Sequence, residues 1–114
     1  FHEMIQFFRE IKTKYNLRIA TVSNEGRELA EYRINTFQLK TFVDDFFISS
    51  FVYYQKPDPH IFKIALDVTQ TRPHEVVYID DRPYLIEAAL KLGLNCILQT
   101  SLESTKKQLS DLLK

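Results

Sequence analysis

The sequence predicts an α/β protein built on a doubly wound, mostly parallel sheet. Short apolar, β-prone runs alternate with amphipathic helical patterns, as one helix followed by four strand–helix units. Alternation at these lengths implies right-handed crossovers and a parallel sheet covered on both faces. Three of the four strand patterns run directly into small polar or charged residues. In open α/β sheets, that carboxyl edge is where ligands bind. The chain has 114 residues, 45% of them hydrophobic, which suits one domain with a true core over 1–114.

The elements follow in order. Met4, Ile5, Phe8, Ile11 and Tyr15 recur at helical spacing over 3–15, and Asn16 supplies a stop. Leu17-Arg18-Ile19-Ala20-Thr21-Val22 reads as a strand, ending in Ser23-Asn24-Glu25-Gly26. A second helix is expected over 27–37, with Leu29, Ala30 and Ile34 inward. Asp44-Asp45 reads as turn chemistry before a strand over 46–49, and 51–55 as a loop with two exposed tyrosines. Lys56-Pro57-Asp58-Pro59 is a rigid turn, because two prolines restrict the backbone on both sides of Asp58. A helix starts at Asp58 or Pro59, with Ile61, Ile64, Ala65 and Val68 inward. Val76-Val77-Tyr78-Ile79 is a buried strand that stops at Asp80-Asp81. Pro83 opens a helix over 83–92, with Leu85, Ala89 and Leu92 inward and Gly93 as its C-terminal cap. Leu94-Asn95-Cys96-Ile97-Leu98 is the last strand. A closing helix over 102–113 carries Leu102, Leu109, Leu112 and Leu113.

Composition excludes several classes. Fifteen basic residues balance fifteen acidic ones, so nothing points to nucleic acid or to a membrane surface. No apolar run reaches transmembrane length. The single cysteine, Cys96, rules out an internal disulfide and a cysteine-rich zinc site, and fits a reducing, cytoplasmic setting. The two glycines, Gly26 and Gly93, cannot compose a dinucleotide fingerprint or a Walker phosphate loop. His2, His60 and His74 lie on different elements without ligand spacing.

The three polar strand ends have complementary chemistry. Ser23 and Asn24 can donate hydrogen bonds to an oxyanion. Lys56 can neutralise a phosphoryl group as a point charge. Asp80 and Asp81 place two like charges side by side, which a hard cation such as Mg²⁺ would compensate. Phosphoryl transfer depends mainly on positioning and charge stabilisation, and these parts supply both.

In order and spacing, these residues resemble the haloacid dehalogenase (HAD) superfamily, a group dominated by Mg²⁺-dependent phosphatases on a Rossmann-like core. The run from Leu17 to Asn24 is similar to its second motif, Lys56-Pro57-Asp58-Pro59 with Ile61-Phe62 to its third, and Val76 to Asp81 to its fourth. The resemblance covers essentially the whole chain. It implies that Ser23 binds the transferring phosphoryl group with Asn24 assisting. It implies that Lys56 stabilises negative charge on nucleophile and phosphate. Asp81 would be a Mg²⁺ ligand and Asp80 a ligand or a supporting group.

Two departures stand out. Tyr53 occupies a position three residues before the lysine where the family often has glycine. The family's first motif, an apolar strand ending in Asp-x-Asp that carries the nucleophile, occurs nowhere in the 114 residues. The resemblance therefore implies the later part of a longer core. The central strand between those ending at Ser23 and Asp80, and the cap, would come from an N-terminal segment or a second chain. The expectation is a hydrolase of a small phosphorylated metabolite, inactive as these residues alone. The alternatives are dehalogenase chemistry, a non-catalytic binding protein on the same scaffold and, more remotely, a receiver-like domain.

Overall fold

The computed structural model describes residues 2–113, which fall into two compact units divided between Gln55 and Lys56.

In the first unit, α1 (His2–Tyr15) precedes β1 (Ala20–Ser23), α2 (Arg27–Thr36), β2 (Asp45–Ile48) and a single helical turn, α3 (Ser49–Val52). β1 and β2 pair in parallel, with Ala20 opposite Asp45 and Ser23 opposite Ile48. Ile11, Ala30, Ile34, Phe42, Val43, Phe47 and Ile48 form the buried core. Leu29, expected inside, is 46% exposed. α2 is short and largely polar, and it turns only Ala30 and Ile34 inward.

The start of the strand pair is held by charge. Arg18 donates two hydrogen bonds to Asp45, at 2.7 and 3.0 Å. Lys12 pairs with Asp44, whose carboxylate also accepts the Ile19 amide at 2.8 Å. These donors, with the lysine first, hold the Asp44 carboxyl below the usual carboxylate range against the opposing effect of burial. The expected Asp44-Asp45 turn is thus corrected. Asp45 opens the strand, and both carboxylates fix register from the strand's beginning.

Residues 51–55 are also not wholly a loop, because α3 takes up the first two. Tyr53 ends α3 in the left-handed region at φ 67°, with its amide donating to the Ser49 carbonyl at 2.9 Å. It is 86% exposed, so the side chain adds little to the core. This conformation favours glycine, and the geometry explains the glycine that the resemblance leads one to expect there. Tyr53→Gly should stabilise the protein by about 0.5–1 kcal/mol, the relief of left-handed strain exceeding glycine's extra chain entropy. A urea denaturation series checks this, and a destabilised variant would contradict it.

The second unit runs α4 (Pro59–Thr69), β3 (Val77–Asp80), α5 (Pro83–Lys91), β4 (Asn95–Leu98) and α6 (Leu102–Leu113). Asp58 caps α4 by accepting the His60 amide at 2.9 Å, and Pro59 fills the first helical position. β3 and β4 pair in parallel, with Val77 opposite Asn95 and Asp80 opposite Leu98. Ile61, Phe62, Tyr78, Leu85, Ile86, Ala89, Leu94, Ile97, Thr105 and Leu109 are buried. The expected stripe on α4 is buried at its start, where Ile61 is fully covered, and open at its end. Phe62 is buried, whereas Val68 is 55% exposed. On α6, Leu112 is likewise 49% exposed, while Thr105 is buried and donates to the Gln99 side chain at 3.3 Å. Gly93 (φ 89°) reverses the chain after α5, where a Cβ would sit 3.4 Å from that of Pro73.

The architecture is the expected α/β one with parallel strands. Among the described residues, the strands form two two-stranded sheets, β1–β2 and β3–β4. No helix described is long and apolar enough to cross a membrane.

Candidate active site

In the second unit the sequence brings a lysine, a tyrosine and a carboxylate onto one point. Side chains alternate along a strand, so Tyr78 and Asp80 share a face of β3. The turn before α4 carries Lys56 to that face. Its Nζ donates to Asp80 Oδ2 at 2.9 Å and to the Tyr78 hydroxyl at 3.0 Å. The Tyr78 hydroxyl in turn donates to the same Asp80 Oδ2. The ammonium also lies 5.5 Å from the centroid of the Tyr78 ring, which packs edge-on against Phe62 at 5.2 Å. The Lys56 and Asp80 side chains are 9% and 10% exposed, so this ion pair is screened far less than a surface one.

The electrostatics follow from these contacts. Burial pushes the Asp80 carboxyl upward. Hydrogen bonds from Tyr78 and Lys56, the lysine's charge and the Arg82 amide outweigh it and hold the group at about 2. Burial, reinforced by the hydrogen bond to Asp80, pushes the Tyr78 phenol well above the usual tyrosine range. A carboxyl held below its unfolded value stabilises the fold above that value and loses the contribution as pH falls through the folded one. Asp80 should therefore contribute on the order of 1–2 kcal/mol near neutrality, fading between about pH 4 and pH 2. Comparing urea denaturation of the parent and Asp80→Asn across that window tests it. The gap between them should close toward pH 2, and a constant gap would refute the linkage.

Asp81 differs from its neighbour. It follows the last residue of β3, it is exposed, and among the described residues its side chain makes no hydrogen bond or ion pair. Asp80 has both oxygens engaged, since Oδ1 accepts the Arg82 amide at 3.1 Å. No group of three or more His, Cys, Asp or Glu side chains able to hold a metal is present among the described residues. The arrangement fits Mg²⁺ through Asp81, because that ion keeps most of its waters and uses one or two carboxylates together with substrate phosphate. Asp80 fits the part of a partner to Lys56.

Ser23 and Asn24 belong to the first unit. Ser23 is the last residue of β1 and is half-buried, and Asn24 is exposed just beyond it. The following loop is fastened to the end of β2. The Ser49 hydroxyl accepts the Glu25 amide at 3.0 Å and donates to the Glu25 carbonyl at 3.2 Å. The Glu25 carboxylate accepts from Arg33 at 2.5 Å. Thus Lys56 and Asp80 meet as a pair, Asp81 stands beside them, and Ser23-Asn24 ends the first strand of its own unit. Tyr78 escaped the sequence reading, although its place two residues before Asp80 on an alternating strand was a usable signal.

This α/β unit presents a buried lysine–carboxylate pair and a second, exposed carboxylate at a strand's carboxyl end, the edge where open α/β sheets bind ligands. The family model for haloacid dehalogenase-like hydrolases matches residues 1–99, and the chain belongs to that family. It is 36% identical over 66 residues to bifunctional epoxide hydrolase 2 of Sus scrofa, covering 57% of this chain and 12% of that protein. It is 28% identical over 75 residues to flavin mononucleotide hydrolase 1 of Arabidopsis thaliana, covering 66% of this chain and 31% of that one. The chain thus spans less than a third of these relatives' length. Among solved structures, a hydrolase from Streptococcus pneumoniae superposes with a TM-score of 0.82 at 22% identity, over 96% of this chain and 57% of that one. A HAD family enzyme from Bacteroides thetaiotaomicron, in complex with magnesium and inorganic phosphate, superposes with a TM-score of 0.79 at 19% identity. That match covers 89% of this chain and 54% of the other.

Proposed function

We propose that the natural gene product is a Mg²⁺-dependent phosphatase of a small phosphorylated metabolite, working through an aspartyl-phosphate on an Asp outside these 114 residues. The observation that carries this reading is the division of labour between adjacent carboxylates, Asp80 bound to Lys56 and Asp81 left exposed. The magnesium and phosphate bound by the structural neighbour support it by analogy. In this reading Asp81 holds the metal, which when bound would offset phosphoryl charge. Lys56 stabilises the negative charge of the nucleophile and phosphate, and Asp80 keeps the lysine aimed. Ser23 and Asn24 donate hydrogen bonds to phosphoryl oxygens. An N-terminal segment, or a second chain, supplies the nucleophile strand.

The test is hydrolysis of a panel of phosphomonoesters by the gene product, with Mg²⁺ and after chelation, alongside its intact mass. Metal-dependent release of phosphate supports the reading. Activity that survives chelation overturns the metal assignment and favours dehalogenase-type chemistry. A gene product without an Asp-x-Asp strand and without activity would favour a binding protein on the same scaffold.

A further inference from the structure

Tyr78 does more in this structure than fill the core. Its ring already packs against Phe62, and a phenylalanine would serve that purpose equally. The hydroxyl is what phenylalanine lacks, and it closes a three-membered ring of hydrogen bonds with Lys56 Nζ and Asp80 Oδ2. A lysine ammonium on a four-carbon stem is mobile, and each hydrogen bond to a fixed acceptor narrows the directions it can take. The carboxylate oxygen and the phenol oxygen it meets lie on the same strand face and together narrow its direction. The hydroxyl also donates to the Asp80 oxygen facing the lysine, while the other oxygen accepts the Arg82 amide. Asp80 is thereby kept turned to Lys56.

We infer that Tyr78 is a positioning residue of the phosphoryl site, its hydroxyl orienting Lys56 and holding Asp80 as the lysine's partner while the metal falls to Asp81. This inference rests on the phosphatase reading above. Supporting partners of this kind change activity by about 10- to 100-fold when removed.

The experiment uses the full gene product and three variants, Tyr78→Phe, Lys56→Met and the double variant, assayed on a phosphomonoester it hydrolyses. Tyr78→Phe should lower kcat about tenfold or more, with KM and the Mg²⁺ concentration for half-maximal activity within about twofold of the parent. In the Lys56→Met background the same change should cost nothing further, because the tyrosine acts only through the lysine. A parent-like kcat in Tyr78→Phe would overturn the inference. So would an undiminished tyrosine effect without the lysine, a raised Mg²⁺ requirement, or loss of the circular dichroism signal, which would make the hydroxyl a structural tie. A parent enzyme that hydrolyses no phosphomonoester overturns the phosphatase reading itself, a result seen before any variant is made.

Discussion

Lys56→Met should lower the kcat of the gene product by about 10²- to 10³-fold and destabilise it by about 2–3 kcal/mol. The two effects share one cause. The ammonium is the cation beside Asp80, and methionine keeps an apolar stem of the same reach up to Cε while deleting charge and donors. A nearly buried carboxylate then loses its partner and either remains charged at a penalty or takes up a proton. Phosphoryl transfer loses a fixed positive charge where negative charge accumulates. Steady-state kinetics and urea denaturation on one preparation measure both. Unchanged kcat with lowered stability would make the pair structural only and remove Lys56 from the site.

Asp81→Asn should show the opposite signature. Mg²⁺-dependent activity should fall to about a hundredth or less, while stability stays within about 0.5 kcal/mol of the parent. The side chain is exposed and tied to nothing among the described residues, so the fold does not depend on it. Removing one of two adjacent negative charges relieves repulsion, which offsets any small loss. Full Mg²⁺-dependent activity in this variant would break the metal assignment. The adjacent pair thus separates in one experiment, with Asp80→Asn read in stability and Asp81→Asn in metal dependence.

Much of this was legible in the sequence because period and punctuation agree along most of the chain. Prolines and caps marked the starts of α4 and α5, Gly93 marked the end of α5, and short apolar runs marked all four strands. Misreadings occurred where local and tertiary signals diverge. Val68 and Leu112 lie on the same helical stripes as the buried Ile61 and Thr105 but sit in the last turn of their helices, where they are exposed. The turn at Ser49–Val52 carries no helical stripe, being too short to have one, and its left-handed end is occupied by Tyr53. At the site, identity and order of the polar residues sufficed to nominate Lys56, Asp80 and Asp81. The resemblance implied Asp81 as a metal ligand and left Asp80 as a ligand or a supporting group, but not that Asp80 is the one that meets the lysine. Which of two adjacent carboxylates meets the lysine depends on strand pleat, and the pleat becomes clear only once Tyr78 and Asp80 are seen on one side of β3.

The ion pairs at the start of β1 and β2 have a consequence for genetics. Arg18 with Asp45, and Lys12 with Asp44, set which residue of β1 lies beside which residue of β2. A slip of one position would turn every side chain of β1 to the other face and carry Ser23 with it. The serine sits about 10 Å along the strand from those charges, at about 3.3 Å per residue. Charge reversal at Asp45 would therefore surface in a screen scored on turnover, as a loss-of-function allele remote from the chemistry. A compensating reversal at Arg18 would emerge as its suppressor.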